Sequence, residues 1–278
     1  MLKTRIITAV ILLILFLYAL FGLPPSGWFV FATSIAAVAA WEWGGLMALG
    51  RASRVTLGMA FILICTAIAA FEPAALDLAP GFSDAAWKLG RWFYLPAAAF
   101  WLLGVPLWMN RRWLLPKSIL GLLVGLVLLL PTWLALIQLK QMGALTLVAI
   151  MATVWLADIA AYFFGRNFGR HKLAPSISPG KTWEGACGGG FAVVVYGFIL
   201  ASKLPDAFLN RPIILLFALI FLSALSIIGD LFESLLKRQA GVKDSSNVLP
   251  GHGGVLDRID SLTSTLPLVA LVWLTTLY

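Results

Sequence analysis

Charge is what this chain has least of. Only 12% of its 278 residues are Asp, Glu, Lys or Arg, against 61% hydrophobic residues and a mean hydropathy of +0.96. A soluble domain carries about twice that charged fraction, so a water-facing surface is excluded and the bilayer is the expected solvent. Cysteine is nearly absent too. Cys65 and Cys187 stand in apolar or Gly-rich runs with no metal-like spacing, which excludes a disulfide framework and structural zinc. There is no basic stripe with interleaved aromatics, so the net charge of +8 does not indicate a nucleic-acid partner. No internal repeat or low-complexity linker is present. No small-x-small cleavage site follows the apolar run that ends at Phe21. Gly22-Leu23-Pro24-Pro25 follows instead, so that run reads as a retained membrane helix rather than a signal peptide.

What is present is a succession of apolar runs long enough to cross about 30 Å of hydrocarbon. They predict an all-α, polytopic membrane protein with about nine spans, at residues 5–22, 27–49, 55–71, 93–109, 117–138, 144–164, 184–202, 212–236 and 255–277. The fourth is short. Pro131 predicts a kink or break in the fifth. We divide the chain into N-terminal helices (1–140) and a C-terminal catalytic region (141–278). The latter carries two long polar loops at 165–183 and 237–254, both rich in Gly, Pro, Ser, Lys and Arg.

Basic residues orient the chain, because cytoplasmic loops accumulate Lys and Arg. With the N-terminus inside, the inner segments hold Lys3 and Arg5; Arg51 and Arg54; Arg111, Arg112 and Lys117; Arg166, Arg170, Lys172 and Lys181; and Lys237, Arg238, Lys243 and Arg258. The outer side keeps Lys88, Arg91, Lys140, Lys203 and Arg211. The expectation is a multi-pass inner-membrane protein with a cytoplasmic active site. Glu72, Asp77, Asp84 and Asp206 fall in outer loops. The remaining acids lie in or beside the inner helix ends, with Asp158 and Asp230 roughly 10 Å below the surface at about 1.5 Å per residue. Glu42 sits at a similar depth and reads as a packing partner or lipid-headgroup contact.

An ionisable residue inside a membrane helix is costly and marks function by default. Asp230, Glu233, Ser234 and Lys237 fall at i, i+3, i+4 and i+7 and share one helix face. After them come Arg238, Lys243-Asp244, Pro250-Gly251-His252-Gly253-Gly254, Asp257-Arg258 and Asp260. Acids for a divalent cation, bases for phosphate and glycines that let backbone N–H groups approach an anion make up the composition of a nucleotide phosphate site. Asp257 and Asp260, at i, i+3 on the last span, could both face Asp230, and a cation shared by Asp230 and Asp257 would explain a buried Asp230; the alternative for these two is a structural ion pair with Lys237 or Arg258. Asp158 either joins this cation or pairs with Arg166. His252 is a phosphate donor rather than a base, since a phosphate monoester is already anionic near neutral pH. Ser178-Pro-Gly-Lys181-Thr182 lacks the upstream glycine of a P-loop, Pro175 standing there, and reads as a different phosphate or cytidine contact.

The run Ser-x-x-Lys-Arg, Lys-Asp, Pro-x-His-Gly-Gly-x-x-Asp-Arg-x-Asp, filled from Ser234 to Asp260, resembles the signature of the phosphatidate cytidylyltransferase (CDP-diacylglycerol synthase) family. Ser178 to Gly185 resembles it as well, as does Asp158 with Ala161-Tyr162-Phe163 and Gly165-Arg166. The resemblance covers about residues 155–262, while the N-terminal half matches only as hydrophobic spans. It implies the reaction of CTP with phosphatidate to give CDP-diacylglycerol and pyrophosphate. It also implies Mg²⁺ on Asp230 and Asp257, a second, monovalent cation such as K⁺, and a homodimer. Lys237, Arg258 and His252 are then expected at the reacting phosphates, with Asp158 a further metal ligand. Ser178, Lys181, Thr182, Glu184, Arg238, Lys243, Asp244, Gly253, Gly254 and Asp260 are expected to contact substrate. A CTP-using polyprenol kinase, a cytidylyltransferase for another lipid phosphate and an ion-coupled transporter are the competing readings. Acids clustered near one face, beside Lys/Arg/Gly loops, favour an enzyme.

Overall fold

The computed structural model describes residues 2–201 and 211–276. Lys203 and Asp206, expected in an outer loop, lie outside the described residues, as do the side chains of Lys3 and Arg5. The helices are α1 (Leu2–Gly22), α2 (Pro25–Leu46), α3 (Arg51–Phe71), α4 (Phe82–Ala99), α5 (Val105–Arg111), α6 (Ile119–Leu139), α7 (Ala144–Phe168), α8 (Trp183–Ile199), α9 (Pro212–Gln239) and α10 (Leu256–Thr276). Every expected span has a helix. By length and composition, six are able to cross a membrane, among them α2, α3, α7 and α9, while α8 and the apolar part of α1 are shorter. Large apolar side chains such as Leu63, Phe71, Leu103, Ile199 and Phe217 point outward, 66–88% exposed, as a lipid-facing surface requires.

Three expectations are corrected. The short fourth span is part of a longer rod, Phe82–Arg111, in which α4 and α5 join through a wider turn at Phe100–Gly104. Its first turns carry Asp84, Lys88 and Arg91, which hydropathy rejects. They are helical because Ala85, Ala86, Gly90 and Tyr94 are buried against the core. There the Tyr94 hydroxyl donates to Gln138 Oε1 at 2.8 Å, and Gln138 Nε2 donates to the Ala75 carbonyl at 3.1 Å. Second, α6 runs without a break through Pro131. The proline removes one backbone donor, but Leu128 to Leu139 are buried throughout, and packing outweighs that loss. Third, 165–183 is not a plain loop. Helix α7 continues to Phe168, and the polar segment folds into an antiparallel hairpin of β1 (Lys172–Ala174) and β2 (Ser178–Thr182), pairing Lys172 with Thr182 and Ala174 with Ser178.

One apolar core runs through both halves of the chain, from Trp28, Trp43 and Trp101 to Phe232, Leu266 and Leu274. The buried tryptophans work as packing with a polar handle: Trp43 Nε1 donates to the Gly121 carbonyl at 2.9 Å and Trp133 Nε1 to Thr33 Oγ1 at 3.0 Å. Small residues set the closest helix contacts. A Cβ on Gly90 of α4 would lie 2.7 Å from Leu274 Cδ1 of α10 and 2.9 Å from the Tyr94 ring. Gly90→Leu is therefore expected to destabilise the protein by about 1–3 kcal/mol through overpacking, read as a lower melting temperature of the detergent-purified protein. An unchanged melting temperature would show that this crossing is loose.

Candidate active site

Two lysine–aspartate pairs organise the polar end of the bundle. Helix α9 presents Asp230, Glu233, Ser234 and Lys237 on one face. The Ser234 hydroxyl donates to Asp230 Oδ1 at 3.1 Å, and Lys237 Nζ lies 3.5 Å from Glu233 Oε1, so the expected i, i+4 neighbours do meet. Lys237 Nζ also donates to Asp257 Oδ1 of α10 at 2.6 Å. This pair is nearly dry, with the two side chains 11% and 3% exposed. The second pair joins α9 to the hairpin: Lys181 Nζ of β2 stands 2.7 Å from Asp230 Oδ2, and both side chains are about a quarter exposed (24% and 27%). The hairpin holds Lys181 there because its own base is tied down. The Thr182 hydroxyl caps α8 by accepting from the Gly185 N–H at 3.1 Å. Glu184 accepts from the His171 N–H at 3.2 Å and meets His171 Nδ1 at 2.7 Å.

A third group of acids completes the site. Asp158 of α7 interacts electrostatically with Asp230, Lys181 and Arg258, and Asp260 of α10 does so with Asp230, Asp158 and Glu233. Both carboxylate oxygens of Glu233 are buried, away from any backbone or hydroxyl donor, with the Asp260 carboxyl within hydrogen-bonding reach and Lys237 Nζ at 3.5 Å. Asp158, Asp230, Glu233, Asp257 and Asp260 thus outnumber the cations facing them, Lys181, Lys237 and Arg258. Glu233 and Asp257 are buried, Asp230 and Asp260 half-buried and Asp158 exposed, so this excess of carboxylate is met by solvent in part and otherwise calls for further positive charge or for protons.

The polar segment after α9 closes over this group. Leu249 and Gly253 pair across a tight turn, with the Leu249 N–H donating to the Gly253 carbonyl at 2.9 Å. Gly251 and Gly253 have φ of +76° and +80°, which L side chains adopt only with strain. A Cβ on Gly253 would also lie 2.7 Å from Asp257 Oδ2. Asp257 Oδ2 accepts from the Gly254 N–H at 2.7 Å, from the Ser245 N–H at 2.8 Å and from the Ser245 hydroxyl at 2.9 Å. His252 rides on the turn, half-buried, with an inward Nδ1 that has no partner.

Set against the expected residues, the structure brings Asp158, Lys181, Asp230, Lys237, Asp257, Arg258 and Asp260 together. Arg238, Lys243 and Asp244 are exposed on the rim, with the Arg238 guanidinium donating to the Val242 carbonyl at 3.4 Å. Ser178 is half-buried on β2. Thr182 and Glu184 have local structural partners, and the Gly254 N–H is directed at Asp257 rather than presented to an outside anion. One residue at the heart of this end was not expected there. Glu42 of α2 is fully buried and accepts from Ser245 Oγ, Ser246 Oγ and the N–H groups of Val255 and Leu256. Its signal in the sequence was its depth in an apolar span, which by itself names no partner.

Asp, Glu and Lys in this arrangement can hold phosphate oxygens and a hard cation, with no side chain placed as a covalent nucleophile. The sequence matches the model of the group described as "Cytidylyltransferase family" over residues 3–276. A Pseudomonas aeruginosa protein named "Phosphatidate cytidylyltransferase" is 39% identical over 98% of this chain and 97% of its own length, and a Haemophilus influenzae protein of the same name is 36% identical over 96% of each. A Bacillus subtilis protein, again of that name, is 44% identical over 47% of this chain and 48% of its own. With the match extending almost from end to end and the acid–lysine site inside it, this chain belongs to the cytidylyltransferase family.

Proposed function

We propose that the protein transfers a cytidylyl group from CTP to phosphatidate, giving CDP-diacylglycerol and pyrophosphate, at the cytoplasmic face of the inner membrane. The observation that carries this reading is the doubled pairing of Lys181 with Asp230 and Lys237 with Asp257 at one end of a bundle of apolar helices. There a water-borne nucleotide and a lipid phosphate can meet. The basic residues of the inner segments favour the cytoplasmic side. The acyl chains stay in the bilayer, since withdrawing each CH₂ costs about 0.8 kcal/mol, so the lipid approaches sideways.

The reaction is an in-line displacement. A phosphatidate oxygen, already anionic, attacks the α-phosphorus of CTP, the new P–O bond forms, and the bond to the β-phosphate oxygen breaks to release pyrophosphate. Lys181, half-buried on β2, exchanges Asp230 for a phosphate oxygen. Lys237, between Glu233 and Asp257, presents N–H donors to phosphate. Arg258 and the rim residues Arg238 and Lys243 hold the triphosphate, with His252 as a further donor to phosphate.

Mg²⁺ fits this residue set. The donors are hard carboxylate oxygens in excess of their cations, and at Asp230 Oδ2 and Asp257 Oδ1 an ammonium group occupies the position a cation would take. Among the described residues no three His, Cys, Asp or Glu side chains form a ready-made cage. Mg²⁺ commonly needs only one or two carboxylates when phosphates and water supply the rest. Asp230 and Asp257 would hold it, with Asp158 alongside, and Glu233 and Asp260 could take a second, monovalent cation. Bound there, Mg²⁺ supplies charge neutralisation to the phosphates.

The test uses purified protein with CTP labelled in either the α- or the γ-phosphate. Label from the α-phosphate should enter the lipid, and a chelator should reduce the rate by at least about a hundredfold. Lipid labelled from the γ-phosphate would make the protein a kinase instead. Equal turnover with chelator present would remove the cation from the proposal.

A further inference from the structure

Resting on the proposed reaction, the geometry points to Glu42 as the positioning residue for the catalytic pair Lys237–Asp257, acting through the polar segment 245–256 from a helix more than two hundred positions away in sequence.

Glu42 is 0% exposed, and it is the one charged residue of its helix. A buried carboxylate is tolerated only where donors satisfy it, and here all its donors come from one segment. Its Oε1 accepts from the Ser246 hydroxyl at 2.6 Å and the Val255 N–H at 2.9 Å. Its Oε2 accepts from the Leu256 N–H at 2.6 Å and faces the Ser245 hydroxyl at 3.2 Å. Val255 precedes α10 and Leu256 is its first residue, so Glu42 accepts, from another helix, the N–H groups that open this one. Asp257 is the next residue. The Ser245 hydroxyl, 2.9 Å from Asp257 Oδ2, links the two carboxylates directly. It carries one proton and so serves one of them at a time, while the Ser245 N–H stays on Asp257. A Cβ on Gly254 would collide with both Ser245 Oγ and Glu42 Oε1, so the segment is seated on the carboxylate without slack. A separate contact, from the Thr8 hydroxyl of α1 to the Pro250 carbonyl at 3.0 Å, fastens the tip of the same segment to the N-terminal helices.

Lys181 and Asp230 belong to β2 and α9, which Glu42 does not touch. Loss of Glu42 should therefore spare nucleotide binding at that pair and disturb the alignment that Lys237 and Asp257 provide. Displacing a catalytic group by about an ångström can cost on the order of a hundredfold in rate.

The experiment compares full-length wild type, Glu42→Gln and Gly90→Leu, the last serving as a destabilised variant remote from this segment. Glu42→Gln keeps the side chain's shape but turns an amide N–H₂ toward groups that are themselves donors. Backbone amide exchange of the 249–260 segment should become at least about tenfold faster in Glu42→Gln, with that of α6 unchanged, an opening confined to one cap. The kcat should fall on the order of a hundredfold with KM for CTP changed less than about threefold, while Gly90→Leu keeps wild-type kcat. A Glu42→Gln enzyme with wild-type kcat, or with unaltered exchange in 249–260, overturns the proposal, as does an equal kcat loss in Gly90→Leu. If Glu42→Gln does not fold, Ser246→Ala, which deletes the hydroxyl's contacts with Glu42 and with the Val248 N–H, decides: faster exchange with reduced kcat supports the role, and wild-type values for both overturn it. A wild type inactive on CTP and phosphatidate would sink the proposed reaction, and the exchange comparison alone would still decide whether Glu42 seats the segment.

Discussion

Asp257→Asn should abolish turnover and also cost much of the fold's stability. In α10 this carboxylate does two things at once. It neutralises Lys237, which is almost dry, and it gathers the Gly254 and Ser245 donors that close the polar segment. Removing one member of a buried ion pair costs about 3–5 kcal/mol when the other charge is left uncompensated, and less here because Glu233 stands 3.5 Å from Lys237 Nζ. The amide also presents N–H groups where Asp257 now accepts several donors, so no rotamer satisfies them all. Because Lys237 would then turn wholly to Glu233, 3.5 Å away, the ammonium is lost from the phosphates as well, and a fall in kcat of at least about a thousandfold is expected. Two measurements check this, the melting temperature in detergent and turnover at saturating Mg²⁺. Substantial activity in a destabilised protein would make Asp257 a purely structural residue. Lost activity at wild-type stability would mean that the loop contacts contribute little.

How much of this could be read from the chain alone varies by kind of interaction. Hydropathy located a helix for every apolar run, because burial in a bilayer is decided by composition over about 20 residues. It failed at the start of α4, where Asp84, Lys88 and Arg91 mask an amphipathic helix whose buried stripe is Ala85, Ala86, Gly90 and Tyr94. The break that Pro131 allowed does not occur, because a missing backbone donor is a local penalty and the packing that outweighs it is tertiary. The hairpin of β1 and β2 was hidden for a related reason. Two strands of three and five residues leave no periodicity, and their polar residues are held by contacts to α7 and α8.

The candidate site divides along the same line. Spacing along one helix placed Asp230, Glu233, Ser234 and Lys237 on a common face, since the helical repeat is a local property. Which cation faces which acid was not legible. Lys181 meets Asp230 at a separation of 49 only because the hairpin folds back, and Glu42 meets Ser246 at a separation of 204. Polarity told that Glu42 needs donors. Its depth gave no hint that a cap of α10 would supply them.

Asp230→Asn is the informative counterpart to the first substitution, because it should separate chemistry from folding. The Lys181–Asp230 pair is about a quarter exposed at each side chain and joins a hairpin to a helix rather than two helices of the core. Pairs open to solvent contribute about 1 kcal/mol or less, and Asn can still accept from the Ser234 hydroxyl, so the melting temperature should barely move. The rate should collapse by at least about a thousandfold, since Asp230 would hold the cation and its negative charge also keeps Lys181 at the mouth of the site. Lys181→Met removes only the second of these roles. It should raise KM for CTP about tenfold or more and lower kcat less than Asp230→Asn does. Equal losses from the two variants, with no rescue of Asp230→Asn at high Mg²⁺, would reduce Asp230 to a tether for Lys181. A large loss of stability in either would mean that the hairpin is part of the core rather than a cover over the site.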